Sequence, residues 1–224
     1  MKDKMIESFN RIALLEDKWD HNRRYSELLL KEIEAGADKV LDIGCGTGEF
    51  TKKAASKAKQ VVGIDIAPQM IIEAQKRHPA ENIEYLLQDF DSMDEKVQYD
   101  CIVSIATFHH LELDTALPKI NRMLKPGGAL VVLDLYDRCG IVDLLLDAAA
   151  VPTSFLMKRI MNGSSRTSRE EIDAWNEHSI LDKYMTIKEL KKTYRQYLGN
   201  NVIIRRLVYW RYLAVYRKTR ENSV

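Results

Sequence analysis

The chain is short of cysteine, of net charge and of long hydrophobic runs, and each shortage closes off a class of protein. Its three cysteines, Cys45, Cys101 and Cys139, lie far apart with no C-x-x-C spacing. They supply neither a disulfide framework nor a zinc signature, the expected metal set is empty, and an odd thiol count suits a reducing compartment. Against 33 Asp and Glu stand 34 Lys and Arg, a formal charge of only +1, so the bulk electrostatics call for no polyanionic partner. The longest apolar stretch, near residues 141–151, is broken by Asp143 and Asp147 and is too short to span a bilayer. The opening Met-Lys-Asp-Lys carries no apolar signal segment, so the expectation is a cytoplasmic protein with no membrane association. There is no internal repeat and no low-complexity tract.

What is present is the composition of an ordinary globular protein, 46% hydrophobic and 30% charged over 224 residues. That length buries one substantial core with room for a modest insertion. Residues 5–35 show helical spacing, with a polar interruption at Asp20-His21-Asn22-Arg23 and a closing Gly36. Short β-rich runs then alternate with helical stretches. Val40–Ile43, Val61–Ile66, Ile83–Leu87, Tyr99–Ile105 and Ala129–Leu135 read as strands, with helices near 48–58 and 114–124 and a turn at Pro126-Gly127-Gly128. Strands separated by helices imply a parallel sheet with right-handed crossovers. Residues 137–198 break this rhythm with helical patches near 141–150, 153–161 and 169–182 and a helix after Thr186. Asn201–Leu207 and Arg211–Arg217 read as a terminal strand pair. The basic residues of this C-terminal region fit alternating charge on an exposed sheet face better than a nucleic-acid patch.

A strand running into Asp42-Ile43-Gly44-Cys45-Gly46-Thr47-Gly48 can turn sharply and bring backbone close to a ligand. The spacing differs from the dinucleotide G-x-G-x-x-G, and no Gly-Lys-Ser/Thr ending marks a phosphate loop. Glycines alone would be weak support, because turns collect them anyway. Asp65 ends the next strand 23 residues after Asp42, and Asp89 follows the third, so three acids share one sheet edge. A carboxylate at Asp65 suits ribose hydroxyls, and one at Asp89 suits the edge of an adenine ring. Taken singly, each is also a good turn former or helix N-cap.

Together these segments resemble the class I S-adenosylmethionine-dependent methyltransferases of the small-molecule type. Val40–Gly48 resembles their first motif, Val62–Met70 their second strand with its ribose acid, and Gln88-Asp89-Phe90 the adenine flank. Tyr99–Ser104 with His109-His110-Leu111 resembles strand four and its loop, and Leu124–Gly128 the turn before strand five. The resemblance implies a Rossmann-like α/β fold: a seven-stranded, mostly parallel sheet with an antiparallel last strand and helices on both faces. It implies an N-terminal helical lid over 1–36, a cofactor-binding core over 37–136, a helical insertion and substrate lid over 137–198, and a closing strand pair over 199–224. S-Adenosylmethionine is the implied cofactor. Gly44, Gly46 and Gly48 would pack on its methionine part and Asp42 would order that loop. Asp65 would hold the ribose, with Ile66 on adenine, Met70 on the pocket wall, Asp89 at the adenine amino group and Phe90 beside it. Cys45 fits as a small residue, and Ser104 belongs to the same set.

Methyl transfer from a sulfonium needs proximity and alignment more than acid–base help, so no catalytic residue follows from the motif. His109 and His110 are catalytic candidates by their place after strand four, with a packing or capping role as the alternative. Trp19–Tyr25 resembles the N-terminal lid of small methyltransferases, which puts Tyr25 at the methionine end of the cofactor and His21 and Asn22 near the acceptor. A plain helix break capped by Asp20 or Asn22 explains the same residues. Trp175, with Phe155, Met157, Met161, His178, Tyr184 and Met185, lines either an acceptor pocket or simply core. No Asn-Pro-Pro-Tyr tetrapeptide follows strand four, which argues against DNA amino methylation. The reading is a methyltransferase for a small-molecule acceptor. RNA or protein methylation, a catalytically silent relative and a dinucleotide oxidoreductase stand as alternatives; oligomeric state is not legible.

Overall fold

The computed structural model describes residues 2–15, 21–140 and 182–220, with isolated positions between 143 and 159. Helix α1 (Lys2–Ile12) and α2 (Ser26–Leu30) precede strand β1 (Ala37–Ile43). There follow α3 (Glu49–Ala54), β2 (Ala58–Asp65), α4 (Pro68–Arg77), β3 (Ile83–Leu87) and β4 (Tyr99–Ile105). Helix α5 (Leu113–Met123), β5 (Leu124–Leu135), α6 (Ile187–Leu198), β6 (Val202–Leu207) and β7 (Arg211–Arg217) complete the order. The seven strands form one sheet in the order β3-β2-β1-β4-β5-β7-β6, parallel except that β7 runs against both neighbours. Reversal between β1 and β4 opens a crevice at the carboxyl ends of the strands, where open α/β sheets bind ligands.

Alternation along the strands divides the core into two layers. Leu41, Ile43, Val62, Ile64 and Ile102 face α5 and α6, whose Leu117, Ile120 and Tyr194 are fully buried. Val40, Val61, Cys101 and Val131 face the other way, against Leu29, Leu30, Ile33 and Phe50 of the α2–α3 side. Thr186 begins α6 with a reciprocal capping box to Glu189, the polar signal that starts a helix after an irregular stretch.

Three local expectations change. Helix α3 stops at Ala54 instead of reaching 58, because Ser56 and Lys57 fold back by bonds to Lys53 and Ala54 and β2 starts at Ala58. The turn expected at Pro126-Gly127-Gly128 lies inside β5. Pairing with β4 shifts register there, and Lys218 exchanges backbone hydrogen bonds with Gly127 and Gly128. Arg211 is no exposed sheet charge, for it is buried at the start of β7. The helical patches expected over 141–150, 153–161 and 169–182 fall essentially outside the described residues, as do Trp19, Phe155, Met157, Met161, Trp175 and His178. Among the described residues no helix is long and apolar enough to cross a membrane.

Candidate functional site

The glycine loop leaves β1 with Gly44, Gly46 and Gly48 all at positive φ. The amides of Gly44 and Cys45 both donate to the Ile64 carbonyl at 2.9 Å, which pins the loop across the end of β2. At two positions glycine is demanded by neighbours as well as by φ. A Cβ on Gly44 would stand 2.0 Å from Thr107 Oγ1, and one on Gly48 would stand 2.5 Å from the Tyr85 hydroxyl oxygen. Among the described residues a Cβ on Gly46 would meet only the Met70 sulfur, at 3.9 Å, so on this side the loop leaves room for a ligand.

Asp65 stands beneath that opening. Its Oδ2 accepts the Gly46 amide at 3.0 Å and its Oδ1 the Ala67 amide at 2.9 Å, which fixes the carboxylate at the end of β2. A carboxylate has about four lone-pair positions, so two remain for a diol. Burial raises the Asp65 pKa against the lowering effect of these amides. Asp42 lies deeper, 2% exposed, with Oδ2 accepting the Thr51 hydroxyl at 2.6 Å. It therefore anchors α3 to β1 under the loop. Burial pushes its carboxyl up to about 7, opposed by the Thr51 bond and reinforced by Asp65. Among the described residues, no cation is one of the groups acting on either acid. Cys45 is buried against Ile71, Ala74 and Tyr85, and burial pushes its thiol well up, as suits a small packing residue.

Asp89 sits at the end of β3, where Oδ1 caps the following 3-10 turn through the Asp91 amide and Oδ2 pairs with Lys2 of α1. Partial burial would raise its pKa, yet Lys2 and the Asp91 amide hold it below the usual range. Phe90 does not offer its ring to the crevice. It is 3% exposed in the core, with the Lys119 ammonium 5.0 Å over its face and bonded to its carbonyl. Ser104 likewise spends its hydroxyl on the Ile43 carbonyl at 2.8 Å, stitching β4 to the strand that feeds the loop. Helix α1 crosses this edge. Asn10 accepts the Gln69 amide, Arg77 donates to the Ala13 carbonyl, and Phe9 and Ile12 pack with Ala67 and Met70.

The β4–β5–β7 side is built from side chains far apart in sequence. Tyr25 donates to the Val208 carbonyl in the β6–β7 turn at 2.9 Å, and Asn22 accepts from Arg211 Nε at 2.7 Å. His21 lies 2.9 Å from Ser154 Oγ and packs on Tyr209, one of two turn residues at positive φ. His109 is gripped by Asp134: its amide donates to Oδ2 at 2.8 Å and its Nδ1 lies 2.7 Å from Oδ1. Burial alone would lower the His109 pKa, but Asp134 and then Asp182 outweigh it and raise the pKa, with Arg211 opposing. His110 adjoins His109, and its ring meets the edge of Phe9 from α1. Sequence reasoning missed Asp134, Asp182, Arg211, Thr107 and Tyr85. For Asp134 a signal existed, a lone acid in the apolar run Ala129–Leu135; the others had none.

Residues 40–128, the span that carries β1 to the bulge in β5, match the family model of a methyltransferase domain. An uncharacterized methyltransferase of Mycobacterium tuberculosis is 28% identical over 91% of this chain and 98% of its own length. A malonyl-[acyl-carrier protein] O-methyltransferase of Bacillus cytotoxicus is 31% identical over 55% of this chain and 46% of that protein. Among solved structures, the N-methyltransferase NodS of Bradyrhizobium japonicum with S-adenosyl-L-homocysteine superposes at a TM-score of 0.65. The match covers 96% of this chain and 99% of that one at 20% identity, which shows a shared fold. The matched span coincides with the strand ends and loops that build the crevice, and these matches support a class I S-adenosylmethionine-dependent methyltransferase.

Proposed function

We propose that this chain methylates a small-molecule acceptor, with S-adenosylmethionine held along the β1–β2–β3 edge. The observation that carries the cofactor assignment is Asp65, fixed by the Gly46 and Ala67 amides with acceptor capacity to spare for two ribose hydroxyls. The donor set fits the group in charge as well. Among the described residues no cation acts on Asp42 or Asp65, and a sulfonium with an ammonium tail supplies positive charge. Gly46 gives the methionine part its approach, with Gly44, Gly48, Cys45 and Ser104 shaping the loop from behind. Ile66 and Met70 wall the adenine side, Asp89 stands at its edge, and Phe90 supports that edge from the core.

When bound, the cofactor supplies an activated methyl on a good leaving group. The chain's own residues then have to exclude water and hold the acceptor in line. Helix α1 and the 21–25 segment serve as the lid, and His21, Asn22, His109 and His110 face the acceptor side. Side chains from α1, the β4 loop, Asp182 and the β6–β7 turn converge on that side, which supports a small molecule over an RNA or protein surface. The named relatives methylate a carrier-bound malonyl group or a nitrogen, and both chemistries belong in the acceptor panel.

Calorimetric titration with S-adenosylhomocysteine tests the cofactor assignment. Asp65→Ala is expected to weaken binding by about 1.5–3 kcal/mol, roughly 10- to 150-fold. Unchanged affinity sinks the ribose assignment. Release of S-adenosylhomocysteine is expected with small hydroxyl, amine or carboxylate acceptors, free or carrier-bound; turnover on RNA or on protein side chains alone refutes the acceptor class.

A further inference from the structure

The 3-10 turn Phe108–His110 presents two adjacent imidazoles toward each other, with ring centroids 4.0 Å apart. Asp182, four residues before the capping box of α6, brings one carboxylate oxygen to both. Its Oδ1 lies 3.7 Å from His109 Nε2 and 3.8 Å from His110 Nε2. All three side chains are only 5–6% exposed. One ligand atom from each residue falls within 4.8 Å of the other two.

What surrounds these atoms sets them apart from a chance meeting of polar groups. Asp134 takes the far side of His109, accepting at Nδ1 and from the backbone amide, which leaves Nε2 as the lone-pair nitrogen turned to the cluster. The outer oxygen of Asp182 accepts the Tyr184 hydroxyl at 2.5 Å, and the Tyr184 ring packs 5.1 Å from that of His109. Two of the three proposed ligands, His109 and Asp182, are thus oriented by a partner on the side away from the cluster, the arrangement that tunes metal-bound histidines and carboxylates. The separations between Asp182 and the two imidazoles are too long for direct hydrogen bonds. They are near the spacing of about 3.4 Å that donors adopt around a tetrahedral ion with bonds of about 2.0–2.1 Å.

We propose that His109 Nε2, His110 Nε2 and Asp182 Oδ1 form a binding site for one divalent transition-metal ion of the zinc class. Two borderline imidazole donors beside one hard carboxylate suit zinc, cobalt or iron(II) and not the all-oxygen shell of magnesium or calcium. Three protein ligands leave a coordination position open. The site stands at the same sheet edge as the glycine loop, on the acceptor side, where a cation lowers the pKa of a hydroxyl or amine bound to it. His109 is then a ligand, and Asp134 and Tyr184 are positioning residues. This goes beyond the methyl-transfer reading and stands or falls without it.

The test uses the full, tag-free chain, stripped with a chelator and titrated with zinc by calorimetry and with cobalt(II) by visible absorption. One equivalent per chain is expected, with ligand-field bands of a nitrogen–oxygen site and no thiolate charge-transfer band. His110→Ala and Asp182→Asn each lower affinity at least tenfold, and Asp134→Asn lowers it roughly tenfold without changing the stoichiometry. S-Adenosylhomocysteine binding, read in parallel, reports whether each variant is folded and whether the cofactor reading holds. Absence of a stoichiometric site in the unsubstituted chain overturns the proposal whatever the variants do. So does a thiolate band assigning the ion to Cys139, or binding that folded His110→Ala and Asp182→Asn retain in full.

Discussion

The two halves of the crevice are made in different ways. On the β1–β2–β3 side, Asp65 is held by amides 19 and 2 residues away, and the loop is held by backbone bonds to the neighbouring strand. On the β4–β5–β7 side the contacts reach much further along the chain, from His109 to Asp134, 25 residues apart, to His21–Ser154, Tyr25–Val208 and Asn22–Arg211, 133 to 189 apart. The acids differ too. Asp42 and Asp65 face a hydroxyl and amides, whereas Asp134 and Asp182 face imidazoles and a phenol. One half is a backbone cradle in which Asp42 and Asp65 are met by a hydroxyl and amides, the other a side-chain assembly whose partners arrive from several segments. The first suits a fixed cationic cofactor, the second an acceptor that differs from one relative to the next.

The charge difference is open to a direct attack at Asp42. Its folded-state pKa of about 7 exceeds the unfolded value, so the contribution to stability is full below about pH 4 and is lost as pH rises through 7. Asp42→Asn keeps an oxygen for Thr51 and removes the ionisation. The stability gain of the variant over the parent is therefore expected to grow from near zero at pH 4 to about 4 kcal/mol above pH 7, as an upper figure. Urea unfolding of the cofactor-free proteins at several pH values measures it. A pH-independent difference between them breaks the contrast, because Asp42 would then be compensated like the acids of the other half.

Gly44→Ala tests whether the cradle is held by its neighbours. Positive φ and the 2.0 Å approach to Thr107 Oγ1 act together, and a loss of roughly 2–4 kcal/mol is expected in thermal or urea unfolding. Adding Thr107→Ala removes the two nearest atoms and restores part of that loss, a coupling a double-mutant cycle reads. Equal losses with and without Thr107→Ala would mean that φ alone matters.

The same contrast explains what was legible beforehand. Strand periodicity, the glycine spacing and the acids at three strand ends are local signals, and β3, β4 and β7 fall where the pattern put them. Helix α3 and the β5 bulge were misjudged because where a helix stops or a strand absorbs Pro-Gly-Gly depends on partners, here Ala58 and Lys218, that the local pattern does not contain. Asp89 and Phe90 show the limit of a local pattern: the segment follows β3 at the sheet edge, while Lys2 and Lys119, 87 and 29 residues away, decide what each side chain does. Asp182 could not be found at all, since nothing near it in sequence points to His109 or His110.

The smallest expected effect separates the halves most cleanly, because two tyrosines lose comparable hydroxyl bonds on opposite sides. Tyr85 donates to the Gly48 and His78 carbonyls beneath the loop, and Tyr25 donates to Val208 at the β6–β7 turn. Tyr85→Phe and Tyr25→Phe should each cost about 1 kcal/mol of stability. Their functional cost should split. Tyr85→Phe loosens the glycine loop and weakens S-adenosylhomocysteine binding a few-fold, measured by calorimetry. Tyr25→Phe should leave that affinity unchanged and raise the KM for the acceptor, because its hydroxyl belongs to the turn that also holds Asn22 through Arg211. If Tyr25→Phe instead weakens cofactor binding, Tyr25 reaches across to the methionine end as the family resemblance implied, and the boundary between the halves moves to include the 21–25 segment with the cradle.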